Sequence, residues 1–170
     1  MPVSYGENRK AMKEWMVQKQ PKTLFDIGMG YGEIGKGVQR VLPDIEINGV
    51  EIFLPYLVEK RSFASIYKRI VIADVMDCID KLWKVDVVTA FDVIEHLRLP
   101  DGIKAIKYLR QIANIGVLIS VPIVPYKQGA IHGNPAEIHR WNWSIEEMEK
   151  LGAKTIFKGT VTGLFEFGPL

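Results

Sequence analysis

The chain has 170 residues, of which 48% are hydrophobic and 25% are charged, and its formal net charge at pH 7 is +2. This length predicts a single domain over residues 1–170 with a full hydrophobic core, and the composition is ordinary for a globular protein. This net charge is too small to indicate nucleic acid or an anionic membrane as a partner. It does not exclude a nucleic-acid substrate.

The lone cysteine, Cys78, rules out an intrachain disulfide and favours a reducing compartment. The first ten residues are polar and unlike a signal peptide, and no apolar run approaches the roughly 20 residues that span a bilayer. We therefore expect a cytoplasmic protein without a membrane segment. No pattern in the sequence indicates an oligomeric state.

Residues 1–21 are predicted to hold a leading helix. Between residues 7 and 20, Met12, Trp15, Met16 and Lys19 recur at helix-like intervals, and Pro21 ends the pattern. Trp15 is expected to pack on the sheet rather than to cover a pocket. A short apolar run, Thr23 to Ile27, then predicts a buried strand.

A glycine turn follows this first strand, with the spacing Asp26-x-Gly28-x-Gly30-x-Gly32, and a helix is predicted from Glu33 to about Val41. Glycines supply unusual backbone angles and let the main chain approach a ligand closely. Dinucleotide folds use the same device with a different spacing, G-x-G-x-x-G. A carboxylate at Asp26 would repel a pyrophosphate, but it can accept a hydrogen bond from an ammonium group, directly or through water.

The second predicted strand runs from Glu46 to Val50 and is followed by Glu51, which lies 19 positions after Gly32. This is close to the distance at which a dinucleotide fold places the acid that binds ribose hydroxyls. A carboxylate there can accept two hydrogen bonds from a cis-diol. The position therefore fits an unphosphorylated ribose, as in S-adenosylmethionine (SAM) or NAD, and argues against NADP.

Three more strands and two helices complete a repeated β–α pattern. We predict a helix over Pro55–Tyr67, a strand over Arg69–Ala73, a strand over Val85–Ala90, a helix from Pro100 to about Ile112 and a strand over Ile115–Val121. Five such repeats imply parallel strands with right-handed crossovers, and therefore an α/β fold.

The pattern changes after Pro122. Residues 122–143 form no periodic element, and loops this long in a compact domain are usually functional. Ser144 begins a capping box for a short helix ending near Leu151, and two strands are predicted over Lys154–Lys158 and Val161–Phe167. With no inserted recognition domain, a substrate is expected to be bound by the leading helix and this loop. The loop contains His132, His139, Trp141 and Trp143.

The glycine turn with Asp26 resembles motif I of the class I SAM-dependent methyltransferases, and the family's order of elements can be followed from Thr23 to Phe167. The resemblance implies a doubly wound, seven-stranded, mostly parallel sheet with the last strand antiparallel and helices on both faces. It also implies that Asp74 faces the adenine amino group and the Val75 amide a ring nitrogen, with Asp77 as a competitor. The predicted cofactor-binding residues are Asp26, Gly28, Gly30, Tyr31, Gly32, Glu51, Ile52, Asp74, Val75 and Asp92.

The stretch from Asp92 to Leu97 resembles the D-x-x-E-H element of many small-molecule methyltransferases, including quinone-biosynthesis O-methyltransferases. Methyl transfer from a sulfonium needs positioning, a desolvated pocket and, for a hydroxyl acceptor, a base. The predicted catalytic residues are therefore His96, whose ordinary pKa lies near neutrality, then His139, with Glu95 beside them. The alternative for His96 is a packed residue that only organises the loop.

A divalent metal is a further alternative for the same residues. Asp92, Glu95 and His96 are close in sequence, His139 can fold back over them, and such donors suit magnesium, manganese or zinc. Metal-assisted O-methyltransferases, among them the RNA 3′-end 2′-O-methyltransferases, resemble this with an E-x-x-E-H element and a downstream histidine. Here Asp92 replaces the first glutamate, so a metal is possible but not favoured, and no metal ligand is predicted.

The sequence therefore predicts a SAM-dependent methyltransferase, yielding S-adenosylhomocysteine (SAH), that acts on oxygen or nitrogen of a small molecule or an exposed polar group. A nucleotide-dependent oxidoreductase is disfavoured by the glycine spacing and Asp26. A non-catalytic binding module is disfavoured by the intact set of strand-end acids. The N-P-P-Y element of base-amine methyltransferases is absent, and Cys78 follows Asp77 rather than the proline that cytosine C5 chemistry needs.

Overall fold

The computed structural model describes residues 6–59, 65–125 and 127–170. The strands in these ranges are β1 Thr23–Ile27, β2 Glu46–Glu51, β3 Tyr67–Ile72, β4 Val85–Phe91, β5 Ala113–Pro122, β6 Lys154–Lys158 and β7 Thr162–Phe167. The α-helices are α1 Arg9–Lys19, α2 Glu33–Gln39, α3 Leu54–Glu59, α4 Val75–Cys78, α5 Leu99–Ile112 and α6 Ile145–Lys150.

The strands form one sheet in the order β3-β2-β1-β4-β5-β7-β6. Strands β1 to β5 pair in parallel, and β7 runs antiparallel to both β5 and β6. The predicted seven-stranded sheet with an antiparallel last strand is therefore confirmed. Because parallel strands end at the same edge, the segments that follow β1, β2, β3 and β4 meet at the carboxyl edge of the sheet.

Hydrophobic side chains cover both faces of the sheet. Along β1, Leu24 packs in one cluster with Trp15 of α1, whereas Phe25 packs in a second cluster that contains α5 and Trp143. Trp15 is 4% exposed and Trp143 is 2% exposed. The prediction that Trp15 packs on the sheet is therefore confirmed, and Trp143 anchors the preceding loop to the core.

The predicted helix over Pro55–Tyr67 is wrong at its end. α3 closes at Glu59, residues 60–64 lie outside the described part, and Tyr67 opens β3 opposite Ile47 of β2. Tyr67 is 5% exposed, and an aromatic residue fits a buried pleated strand well. The predicted leading segment is described only from Gly6 onward.

The predicted capping box at Ser144 is confirmed. The Ser144 hydroxyl accepts from the Glu147 amide at 3.1 Å, and the Glu147 carboxylate accepts from the Ser144 amide at 2.8 Å. The loop before it, predicted to lack periodic structure, contains a short 3₁₀ turn over Pro135–Glu137 and an isolated bridge between Ile131 and Asn134, with Tyr126 outside the described residues. No helix in the described ranges has the length and hydropathy needed to cross a membrane.

Candidate active site

A cavity of about 490 Å³ lies at the carboxyl edge of the sheet. Its walls come from the segments after β1 to β4 and from residues 134–140 of the loop that follows β5. Eight residues predicted to bind cofactor or to act in catalysis line it: Gly28, Gly30, Glu51, Ile52, Asp74, Val75, Asp92 and His96. The segments that follow four different strands thus converge on one cavity.

The glycine turn needs its glycines for conformation as well as for space. Gly28, Gly30 and Gly32 have φ values of +67°, +50° and +72°, in the left-handed region that a Cβ disfavours. A Cβ on Gly28 would also collide with the side chain of Val93. The backbone of Gly28 and Gly30 is therefore open to the cavity, whereas Gly32 lies at the start of α2 and does not line it.

Glu51 is fixed at the end of β2 by backbone amides. It is 4% exposed, and its two carboxylate oxygens accept from the amides of Gly30 and Phe53, each at 2.8 Å. Burial raises the pKa of this carboxyl group, and the two amides oppose that rise. A carboxylate has about four lone-pair positions, so Glu51 keeps acceptor capacity toward the cavity.

Asp26 lies behind the glycine turn rather than in the cavity wall. It is 1% exposed, and its oxygens accept from Tyr67 Oη at 2.5 Å and from Thr89 Oγ1 at 3.0 Å. Burial raises its pKa to about 6, although both hydrogen bonds lower it. The cofactor contact predicted for Asp26 stays a prediction, and in this geometry it would have to be indirect.

Tyr31 also lies outside the cavity wall. Its hydroxyl donates to Glu59 at 2.7 Å, and its ring packs edge-on against Tyr56 at 5.2 Å between centroids. At the end of β3, by contrast, Asp74 lines the cavity and its competitor Asp77 does not. Asp74 also caps α4 by accepting from the Met76 amide at 2.8 Å.

The segment after β4 places charged and titratable groups together. Asp92 has a φ of +53°, which is uncommon for a residue with a Cβ and is typical of strained functional positions. Glu95 is 1% exposed, and within residues 6–59, 65–125 and 127–170 neither of its carboxylate oxygens has a hydrogen-bond partner. Burial, with the nearby Asp92 charge, holds the Glu95 pKa well above its usual range.

His139 reaches this segment because the loop is bonded to it through the main chain. The amides of Arg140 and Trp141 donate to the carbonyl of Glu95 at 2.8 and 3.1 Å. The rings of His96 and His139 lie 4.8 Å apart, and one donor atom from each of Glu95, His96 and His139 lies within 4.8 Å of the others. Burial and His139 lower the pKa of His96 to about 4, so its imidazole is neutral at pH 7.

The loop supplies site residues that sequence reasoning missed. Asn134, Glu137 and Arg140 line the cavity together with Tyr56 of α3, and Glu137 is only 7% exposed. The Asn-Pro pair at residues 134–135 is a turn signal that marks where the chain bends toward the cavity. His132 is exposed beside Tyr56 and does not line the cavity, and neither do the described residues of α1.

The fold resembles those of solved methyltransferases. The N-terminal domain of EvdMO1, in the presence of SAH and D-fucose, matches with a TM-score of 0.71 and 13% identity over 98% of this chain and 84% of that one. Magnesium protoporphyrin IX methyltransferase from Synechocystis PCC 6803 with bound SAM matches with a TM-score of 0.69 and 13% identity, over 94% and 77%.

An O-methyltransferase family protein from Burkholderia thailandensis matches with a TM-score of 0.64 and 12% identity over 95% of this chain, which spans 59% of that protein. No family model matches the sequence, and no curated protein matches it either. The fold is that of the class I methyltransferases. At these identities the likeness shows the class I fold alone, and substrate and activity have to be argued from the site.

Proposed function

We propose that this protein transfers a methyl group from SAM to oxygen or nitrogen of a small molecule. The observation that carries the proposal is the convergence, in one cavity, of the open glycine backbone, Glu51 and Asp74 with His96. Behind the cavity wall, His96 contacts His139 and Glu95, which do not line the cavity themselves. Ligands of open α/β sheets bind at the carboxyl ends of the strands, where this cavity lies.

Different parts of the cofactor are proposed to bind at the ends of β1, β2 and β3. Glu51 accepts hydrogen bonds from the ribose diol with the lone pairs that the amides of Gly30 and Phe53 leave over. Asp74 accepts from the adenine amino group, and the methionyl part lies along Gly28 and Gly30. Asp26 acts on the ammonium group through water, or supports the turn from behind.

The acceptor is proposed to lie against the segment after β4. A neutral His96 can accept the acceptor's proton as its oxygen or nitrogen attacks the methyl carbon, and SAH leaves with the sulfonium charge neutralised. His139 is the second candidate for this role. Glu95 is buried beside these groups and does not need to be the base itself.

A metal-assisted version of the same transfer is the second candidate. Two observations favour it. One donor atom from each of Glu95, His96 and His139 lies within 4.8 Å of the others. The buried Glu95 carboxylate also has no hydrogen-bond partner among the described residues, and a divalent cation would offset the free-energy cost of burying its charge. Asp92 is not in this set, so the donors differ from those of the E-x-x-E-H element. A bound cation would polarise an acceptor hydroxyl there.

The deciding experiment is calorimetric titration with SAM and SAH, with NAD as the comparator, before and after EDTA treatment. Micromolar binding of both sulfur ligands and none of NAD is expected. If neither SAM nor SAH bound, the proposal would be overturned, and the chain would be a non-catalytic module with this fold. Titration of the EDTA-treated protein with Mn²⁺ or Zn²⁺, with Glu95→Gln as the comparison, tests the metal version separately.

A further inference from the structure

A continuous set of contacts joins the proposed ribose site to His139, and it includes two buried side chains that the proposed reaction does not use. Tyr56 and Glu137 are 2% and 7% exposed and both line the cavity. They belong to α3 and to the loop after β5, which are far apart in sequence. The inference drawn from them rests on the proposed function.

The first step of the set lies on the cofactor side. The Phe53 amide donates to Glu51, the Tyr56 amide donates to the Phe53 carbonyl at 3.1 Å, and the Tyr56 ring packs edge-on against Phe53. Tyr56 is therefore fixed relative to the carboxylate proposed to bind the ribose. Its hydroxyl then donates to Glu137 Oε1 at 2.9 Å.

The second step lies within the loop. The Gln128 side-chain amide donates to Glu137 Oε2 at 3.2 Å and to the Glu137 carbonyl at 2.8 Å. The carbonyl of Gln128 in turn accepts from the His139 amide at 3.1 Å. Glu137 thus receives Tyr56 on one oxygen and Gln128 on the other, and Gln128 holds the backbone of His139.

The carboxylate of Glu137 connects two elements, because Tyr56 donates to one of its oxygens and Gln128 donates to the other. Glu137 is a buried acid of the site, like Glu51 and Glu95. Packing alone would be served at lower cost by a neutral side chain, because buried charges lose hydration. What the carboxylate adds is two acceptor oxygens with fixed directions, each used by a different element.

We propose that Glu137 is a positioning residue, and that the Tyr56–Glu137–Gln128 contacts make the position of the His139 ring depend on the cofactor side of the cavity. Filling of the ribose site at Glu51 then acts on the loop through the contacts of Phe53, Tyr56 and Glu137. The acceptor side is then completed only when the cofactor is in place.

The chain offers a direct readout because it contains three histidines, His96, His132 and His139. We would record their imidazole ¹H–¹³C NMR signals, assign them by single replacement, and titrate with SAH. Tyr56→Phe and Glu137→Gln are the test variants. Tyr108→Phe and Glu149→Gln are matched controls, since neither residue lines the cavity.

The expected result is that SAH shifts the His139 signals of the wild type and the controls, and that both test variants lose at least half of that response. His139 signals should also differ between Tyr56→Phe and wild type without any ligand. A merely local packing role would move only His132, whose ring lies 6.4 Å from Tyr56. Unchanged thermal melts would confirm that the variants are folded.

Two results would overturn the proposal: a wild-type His139 signal that does not respond although SAH is bound, or an unreduced response to SAH in both test variants. If the wild type bound no SAH, the proposed function would fail. The ligand-free comparison would still decide the positioning role, because an unchanged His139 signal in Tyr56→Phe excludes it.

Discussion

Tyr67 Oη donates to Asp26 Oδ2 across 2.5 Å, which joins the first residue of β3 to the strand that leads into the glycine turn. A Cβ on Gly35 would collide with the same phenol group, so α2 can lie over it only with a glycine there. Thr89 of β4 donates to the other oxygen of Asp26. Asp26, in the central strand β1, is therefore held by side chains from β3 and β4.

Replacing Tyr67 by Phe removes one of these donors from a buried carboxylate. A hydrogen bond to a charged group contributes about 1.5–3 kcal/mol, so Tyr67→Phe should lower the free energy of unfolding at pH 7 by about that amount. Urea denaturation gives the measurement, and Tyr108→Phe on α5 serves as the control. An unchanged unfolding free energy would show that Asp26 is protonated and insensitive to this donor.

The pH dependence of stability should identify Asp26 directly. Its folded pKa of about 6 lies above the ordinary 3.8, so the folded protein binds this proton more tightly than the unfolded chain. The stability contributed by that proton is complete below about pH 4 and is lost as the pH rises through about 6. Asp26→Asn should remove the part of the pH dependence that Asp26 contributes, whereas the parts from Glu51 and Glu95, whose pKa values are also raised, should stay. A variant with the wild-type slope between those pH values would contradict the assignment.

Gly28→Val should abolish cofactor binding, for two separate reasons. The backbone at φ +67° is strained for a β-branched residue, and the added side chain would meet Val93 at the mouth of the turn. Calorimetric titration with SAH measures the loss. Gly168→Val, where an added Cβ has nothing within 4 Å, should bind like the wild type. Wild-type affinity in Gly28→Val would place the cofactor elsewhere.

Most of the fold was predictable because its signals are local. The glycine turn, the apolar strands and the capping box at Ser144 each depend on residues adjacent in sequence, and each is present in the structure. The prediction that the helix reaches Tyr67 was wrong because the local sequence there does not distinguish an amphipathic helix from a strand. Pairing with β2 settles that question in the folded protein.

The site was less predictable because its partners are distant in sequence. Glu51 is predictable from its spacing after the glycine turn, and the role of Asp74 follows from the family resemblance. Glu137 and Tyr56 carry no motif, and they meet only after the loop folds back over α3. Asp26, by contrast, was assigned to the cofactor by its motif, while its burial against Tyr67 depends on β3, two strands away in the sheet.

His96→Ala should spare SAH binding and lower turnover by about 10²–10⁴-fold, the usual contribution of a general base. The reason is that His96 follows β4 and contacts His139, whereas the residues proposed to hold the cofactor, Glu51 and Asp74, follow β2 and β3. Calorimetry and a methyl-transfer assay on an identified acceptor give the two measurements. Full activity in His96→Ala would show that the residue only organises the loop.

Glu7 connects the start of the described chain to the turn before β7. Its carboxylate accepts from the amides of Thr160, Val161 and Thr162, the shortest of these bonds being 2.6 Å from Thr162. These donors lower the pKa of Glu7 to about 2, with the Thr162 amide contributing most. The carboxylate form is therefore the one that stabilises the fold.

Stability from Glu7 is complete above its ordinary pKa of 4.5 and is lost as the pH falls toward 2. Because the group is partly exposed to solvent, Glu7→Gln should cost about 1–2 kcal/mol at pH 7, less than the full shift implies. The difference from wild type should shrink between pH 4.5 and 2. Glu14→Gln, at an exposed carboxylate of α1, is the control. A stability difference for Glu7→Gln that stays constant with pH would mean that the ionised carboxylate is not its source.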